Sequence, residues 1–176
     1  MKNTKKVVII ALGKPNSGKS NTWYEIFKRT IRTGWKRLTL LNTELEIFVK
    51  NSSFEETKKE INIDVFIRNA SFEEYGDEVI DFFDLDNLPK IIFCSVQYTE
   101  KGIRTINWFK DNGYYLYIQW LNPGYTHKVA YSDFLSFESK FKEFGEFHKI
   151  SGKEKINRTT AIKRFLIKWI TSNKKK

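Results

Sequence analysis

Eight residues near the start, Gly13-Lys14-Pro15-Asn16-Ser17-Gly18-Lys19-Ser20, constrain the fold more than any other stretch of the 176-residue chain. They fit the pattern G-x-x-x-x-G-K-[ST] without a mismatch. Before them runs Val7-Val8-Ile9-Ile10-Ala11-Leu12, a continuous apolar run suited to a strand buried on both faces. After them, Asn21 to Arg32 reads as a helix, with Trp23, Ile26, Phe27 and Ile31 inward, Lys28, Arg29 and Arg32 outward, and Gly34 as its end. Gly13 and Gly18 admit backbone angles and close approaches that a side chain would block. A loop built this way turns its N–H groups inward as an anion nest, at the positive end of the following helix. Lys19 then reaches the outer phosphates of a nucleotide as a point charge, and the Ser20 hydroxyl is suited to Mg²⁺. The expected binding residues are Gly13, Lys14, Pro15, Asn16, Ser17, Gly18, Lys19, Ser20 and Asn21, with ATP or another nucleoside triphosphate and Mg²⁺ as cofactors.

Residues 7 to 32 resemble the opening strand, loop and helix of the P-loop NTPase superfamily. Pro15-Asn16 also resembles the G-x-P-N-x-G-K-S loop of translation-factor-like GTPases. Such a GTPase would carry D-x-x-G and N-K-x-D further on, and the chain contains neither. The resemblance therefore implies a P-loop fold and nucleotide binding, without selection of guanine.

The rest of the chain alternates strand-like and helix-like stretches. Arg37 to Lys50 reads as one or two strands, and 51–60 as a polar helix or loop capped by Ser52 or Ser53. Ile61 to Arg68 reads as a strand, and Ser71 with Glu74 fits a capping box for a helix over 72–83. Lys90 to Val96 and Tyr114 to Leu121 are buried-strand patterns, with a helix from Thr99 to Asn112 between them. The Phe residues at 134, 137, 141, 144 and 147 form a stripe at three- and four-residue spacing, read as a core face. Alternation of this kind predicts an α/β fold, three-layer α/β/α, around a mostly parallel central sheet. Residues 1–150 are expected to form the nucleotide-binding domain, and 151–176 a basic amphipathic helix and lysine tail packed on it. In such sheets ligands gather beyond the carboxyl ends of the strands. That rule selects the loops around 13–20, 42–44, 68–71, 95–98 and 121–125.

An acid that holds Mg²⁺ should close one of these strands. Only Leu38–Leu41 is followed by one within reach, so Glu44 is the expected metal-side carboxylate, with Glu46 in reserve. Arg68, at the expected end of its strand, is the candidate to stabilise a transferring phosphoryl group beside Lys19. An ion pair with Glu73 or Glu74 is the plainer reading of Arg68. Gln97 suits orienting a water or reading a base. Cys94 sits in an apolar run as a small core residue, and Asp133 reads as a helix-initiating residue. His127 and His148 stand alone, without the spacing of a zinc site.

Charge is unevenly placed. Residues 1–37 carry ten Lys and Arg against Glu25, residues 55–86 carry eleven acids against three bases, and 151–176 carry nine bases against Glu154. The formal net charge of +10 thus comes from the two ends. Basic ends suit a nucleic acid or an acidic protein, or simply a solvated surface. Arg158 and Arg164 are candidates for a lid over bound nucleotide. No apolar run approaches the roughly 20 residues of a membrane span, and the apolar run after Met1–Lys6 is short for a signal peptide, so a cytoplasmic location is expected. Two functions fit: a small ATP-dependent phosphotransferase or NTPase, resembling the nucleotide kinases, and a nucleotide-dependent binding module with little hydrolysis of its own.

Overall fold

Val7 to Leu12 expose no surface at all, so the first strand must lie at the centre of the molecule. The computed structural model describes residues 6–41, 46–50, 60–74, 76 and 78–174. In chain order the elements are β1 (Lys6–Gly13), α1 (Lys19–Phe27), β2 (Gly34–Leu41), β3 (Glu46–Lys50), β4 (Glu60–Ser71), β5 (Ile91–Gln97), α2 (Glu100–Asp111), β6 (Tyr114–Leu121), α3 (Phe137–Phe141), β7 (Gly145–Ile150) and α4 (Lys155–Lys174). Short 3₁₀ turns occupy Phe72–Glu74, Val79–Phe82, Leu85–Asn87 and Lys142–Phe144.

The strands form one sheet in the order β3-β2-β4-β5-β1-β6-β7. From β4 to β7 all neighbours are parallel; β2 runs antiparallel to β4, and β3 antiparallel to β2. Alternate residues of β1 feed two cores, as the two-residue period of a strand requires. Val7, Ile9 and Ala11 pack with Trp23, Ile26 and Phe27 of α1 and with Ile162, Phe165, Leu166 and Ile170 of α4. Val8, Ile10 and Leu12 pack with Ile103, Ile106 and Phe109 of α2 and with Phe137 and Phe141 of α3. Burying each of the large apolar side chains contributes about 1.5–3 kcal/mol, which is why α4 lies on the sheet and not in solvent. Helices therefore cover both faces of a mostly parallel sheet.

Several expectations change. The first helix ends at Phe27, because Lys28 takes a left-handed conformation (φ 55°) and stops it; Gly34 instead opens β2. No single helix spans 72–83: β4 runs through to Ser71, and Gly76 (φ 75°) separates two 3₁₀ turns. The capping box belongs to Glu78 and Asp81, not to Ser71 and Glu74. The Phe stripe does not form one face. Phe137 and Phe141 are buried and Phe134 is 63% exposed, while Phe147 lies in an unexpected parallel strand, β7. Its first residue, Gly145, approaches Leu116 so closely that a Cβ there would lie 1.7 Å from the Leu116 carbonyl oxygen. The expected cap at Ser52 or Ser53 lies outside the described residues. No helix among the described residues is long and apolar enough to cross a membrane.

Candidate functional site

The glycine loop leaves β1 at Gly13 and enters α1 at Lys19, on the edge of the sheet formed by the carboxyl ends of β4, β5, β1, β6 and β7. Its backbone explains its sequence. Asn16 (φ 58°) and Gly18 (φ 96°) both take left-handed conformations, the kind of geometry in which successive N–H groups point to one side. A Cβ at Gly13 would lie 2.3 Å from Ser17 Oγ, so only glycine lets the loop fold back over its own start. The N–H groups of Gly18, Lys19 and Ser20 donate to no acceptor among the described residues, as the first turn of a helix leaves them.

Lys19 is folded into this loop. Its Nζ donates to the carbonyl oxygens of Gly13 and Lys14, 3.0 Å from each, and the residue is only 6% exposed. Burial pushes its ammonium below the ordinary lysine value, and the carboxylates of Glu74 and Glu73 act in the opposite direction. Ser20, on the first turn of α1, is exposed.

Later segments hold the loop from outside. The Tyr125 N–H donates to the Ser17 carbonyl at 2.9 Å, and Thr126 Oγ1 donates to that of Asn16 at 3.3 Å. Gly124 and Gly152 pack on Ser17 so tightly that a Cβ at either would come within 2.8 Å of its backbone. Lys14 places its ammonium 4.0 Å from the centre of the Tyr131 ring. Tyr131 is in turn gripped by Asn122, whose side chain donates to its carbonyl at 2.7 Å and accepts from its N–H at 2.9 Å. Behind the loop, Arg158 of α4 donates to Thr22 Oγ1 at 2.8 Å and to the Gly18 carbonyl at 3.4 Å. Gly18 and Arg158 thus meet across nearly the whole sequence. Arg158 is fully buried, which does not suit a lid, and Arg164 is exposed on α4.

The carboxylates that act on Lys19 are Glu74 and Glu73. Glu73 accepts from the Gln97 N–H at 3.1 Å and from the Thr105 hydroxyl, while Gln97 Nε2 donates to Glu74 at 3.4 Å. Glu73 also lines a cavity of about 130 Å³ with Lys101, Arg104, Thr105 and Trp108. Sequence reasoning passed over these acids because it ended the strand at Arg68. A register shift between Arg68 and Ser71 carries β4 three residues further, which brings Glu73 and Glu74 directly after its end.

Glu44 lies outside the described residues. Leu41, the last residue of β2, pairs with Glu60, the first of β4, and so stands at the edge of the sheet away from the glycine loop. Glu46 pairs with Leu41 and opens β3 at that same far edge, so the reserve acid is not brought to the loop. Arg68 is 7% exposed, and its guanidinium lies over the rings of Phe82 (4.4 Å) and Phe72 (5.4 Å). It pairs with Cys94 on the face of the sheet opposite α1. Burial raises the Cys94 thiol well above its ordinary value, which keeps it protonated and inert. Asp133 accepts from the N–H groups of Phe137 and Glu138 at the start of α3, and from the Tyr98 hydroxyl at 2.6 Å. His148 lies 3.0 Å from Glu146. Among the described residues no three His, Cys, Asp or Glu side chains gather as a metal site.

No protein-family model matches the chain, and no curated protein matches it.

Proposed function

We propose that the loop 13–20 is a P-loop that binds the phosphates of ATP or another nucleoside triphosphate, and that the protein is a small phosphotransferase or NTPase. The observation that carries this reading is Lys19: a buried ammonium held by loop carbonyls, at the mouth of a helix whose first N–H groups have no acceptor among the described residues. A phosphate is the ligand that both features suit. On this reading the Ser20 hydroxyl and Glu74, through water, are the residues that would hold Mg²⁺, which would supply positive charge to offset that of the phosphates. Lys19 leaves its two carbonyls to meet the outer phosphate. Glu73 and Glu74, facing Lys19, orient the attacking group, and Arg68 remains a candidate only if its guanidinium leaves the Phe82 ring. The cavity beside Glu73, whose wall carries Glu78 as well as Lys101 and Arg104, is the candidate seat of the acceptor.

Calorimetric titration with Mg-ATP, and ADP release with and without a nucleoside monophosphate, test the proposal. Binding by the wild type that Lys19→Ala abolishes supports it. Absence of binding, or equal binding by both proteins, overturns it. Binding with no ADP release under either condition removes the enzymatic part.

A second reading, a nucleotide-dependent module that engages nucleic acid, draws on one feature of the fold. The helices α1 and α4 cover the same face of the sheet, and exposed bases lie just after α1 and along α4. Arg32, Arg164 and Lys168 are exposed there. Affinity for labelled oligonucleotides that falls steeply with salt supports this reading, and salt-insensitive or undetectable binding counts against it.

A further inference from the structure

Among the described residues, Arg158 is a buried cation without a paired anion. Its relative exposure is zero, yet its polar side-chain contacts are one hydroxyl, Thr22 Oγ1, and one carbonyl, that of Gly18. Among the described residues its Nε and Nη2 have no hydrogen-bond partner, and no carboxylate forms an ion pair with it. Burial pushes the guanidinium below its ordinary value, and the opposing effect of Glu25 does not offset it. Proteins pair their buried charges, because an unpaired ion surrenders its hydration for nothing. The position of this one is informative. Arg158 touches the last glycine of the loop and the first turn of α1, immediately behind the N–H groups that have no acceptor.

We propose that Arg158 is a positioning residue of the phosphate site, whose missing counter-charge is the polyphosphate that the loop holds. It fixes the Gly18 carbonyl on the side away from the ligand, which keeps the neighbouring N–H groups turned inward. Its charge adds to that of Lys19 and the α1 terminus in a setting that water does not screen. This inference rests on the nucleotide reading above, and it deepens that reading: recognition is of polyphosphate charge, not of a base.

The test is Arg158→Met in the full chain, titrated with Mg-ATP and with inorganic tripolyphosphate, alongside urea unfolding. The expected result is at least a tenfold loss of affinity for both probes, with an unfolding midpoint that is unchanged or higher, because an apolar chain of similar size relieves the uncompensated charge. Arg158→Lys should recover part of the affinity. A purely structural arginine gives the reverse: a lower midpoint and affinity within twofold of wild type, which overturns the proposal. If Arg158→Met does not fold, Thr22→Val, which removes the hydroxyl that seats the guanidinium, is read in the same way. Failure of the wild type to bind either probe sinks the nucleotide reading itself; wild-type binding that both variants retain sinks only the role of Arg158.

Discussion

The ammonium of Lys19 lies 3.0 Å from the carbonyl oxygen of Gly13, so the cation that ends the loop is folded back onto the residue that begins it. A phosphate entering the loop competes with two carbonyls for that ammonium, and the charged acceptor makes the stronger bond. Lys19→Ala should therefore lower affinity for Mg-ATP by at least tenfold in calorimetric titration. Its effect on urea unfolding should be small, about 1 kcal/mol, because the loss of two charge-assisted hydrogen bonds is offset by removal of a buried charge.

Gly13→Ala tests the geometry of the loop separately from its charge. The new methyl would lie 2.3 Å from Ser17 Oγ and 2.9 Å from Ser17 Cβ. Both contacts force the loop open, at about 1–3 kcal/mol in chemical denaturation. The double variant Gly13→Ala/Ser17→Gly should recover most of the loss.

Glu73 and Glu74 separate binding from turnover. Glu74→Gln should leave affinity for nucleotide within about threefold and lower ADP release at least tenfold, as the loss of a group that acts on the reacting phosphate does. Glu73→Ala should in addition destabilise the fold by about 1–3 kcal/mol, because the Gln97 N–H and the Thr105 hydroxyl lose their acceptor.

Alkaline stability has a defined sign. Burial raises the phenol of Tyr117 to about 12. The unfolded chain releases this proton near pH 10, before the folded chain does. The stability that it contributes is thus fully present below pH 10 and is lost as pH rises from 10 to about 12. Tyr117→Phe should flatten that part of the stability curve, measured by urea midpoints between pH 8 and 12, by an amount on the order of 2 kcal/mol.

Much of the fold was legible because the signals were local. The run Val7–Leu12 could only be a strand buried on both faces, and it stands at the centre of the sheet. The glycines at 13 and 18 could be read as backbone requirements, and the Cβ approach at Gly13 and the positive φ at Gly18 give the reason. What escaped was set by distant partners. Ser71 and Glu74 looked like a helix start, but Ser71 is spent in β4 and the acids that follow are drawn to β5 and α2. The antiparallel course of β2 turns its carboxyl end away from the loop, which no residue between 34 and 41 announces. β7 is an edge strand with two large apolar residues, Phe147 and Ile150, and its main signal is a glycine whose purpose appears only beside Leu116.

The contact between Arg158 and Gly18 joins residues 140 positions apart. A ribosome adding about 5–20 residues per second delivers the second of these roughly 7–28 seconds after the first. For that interval the nascent chain carries a glycine loop without the helix that backs it, and Ser17 lacks the Gly152 that presses on it. The motif is synthesised well before its supports. A fragment cut after residue 150 would keep every residue of the pattern and lose the scaffold that gives the pattern its shape.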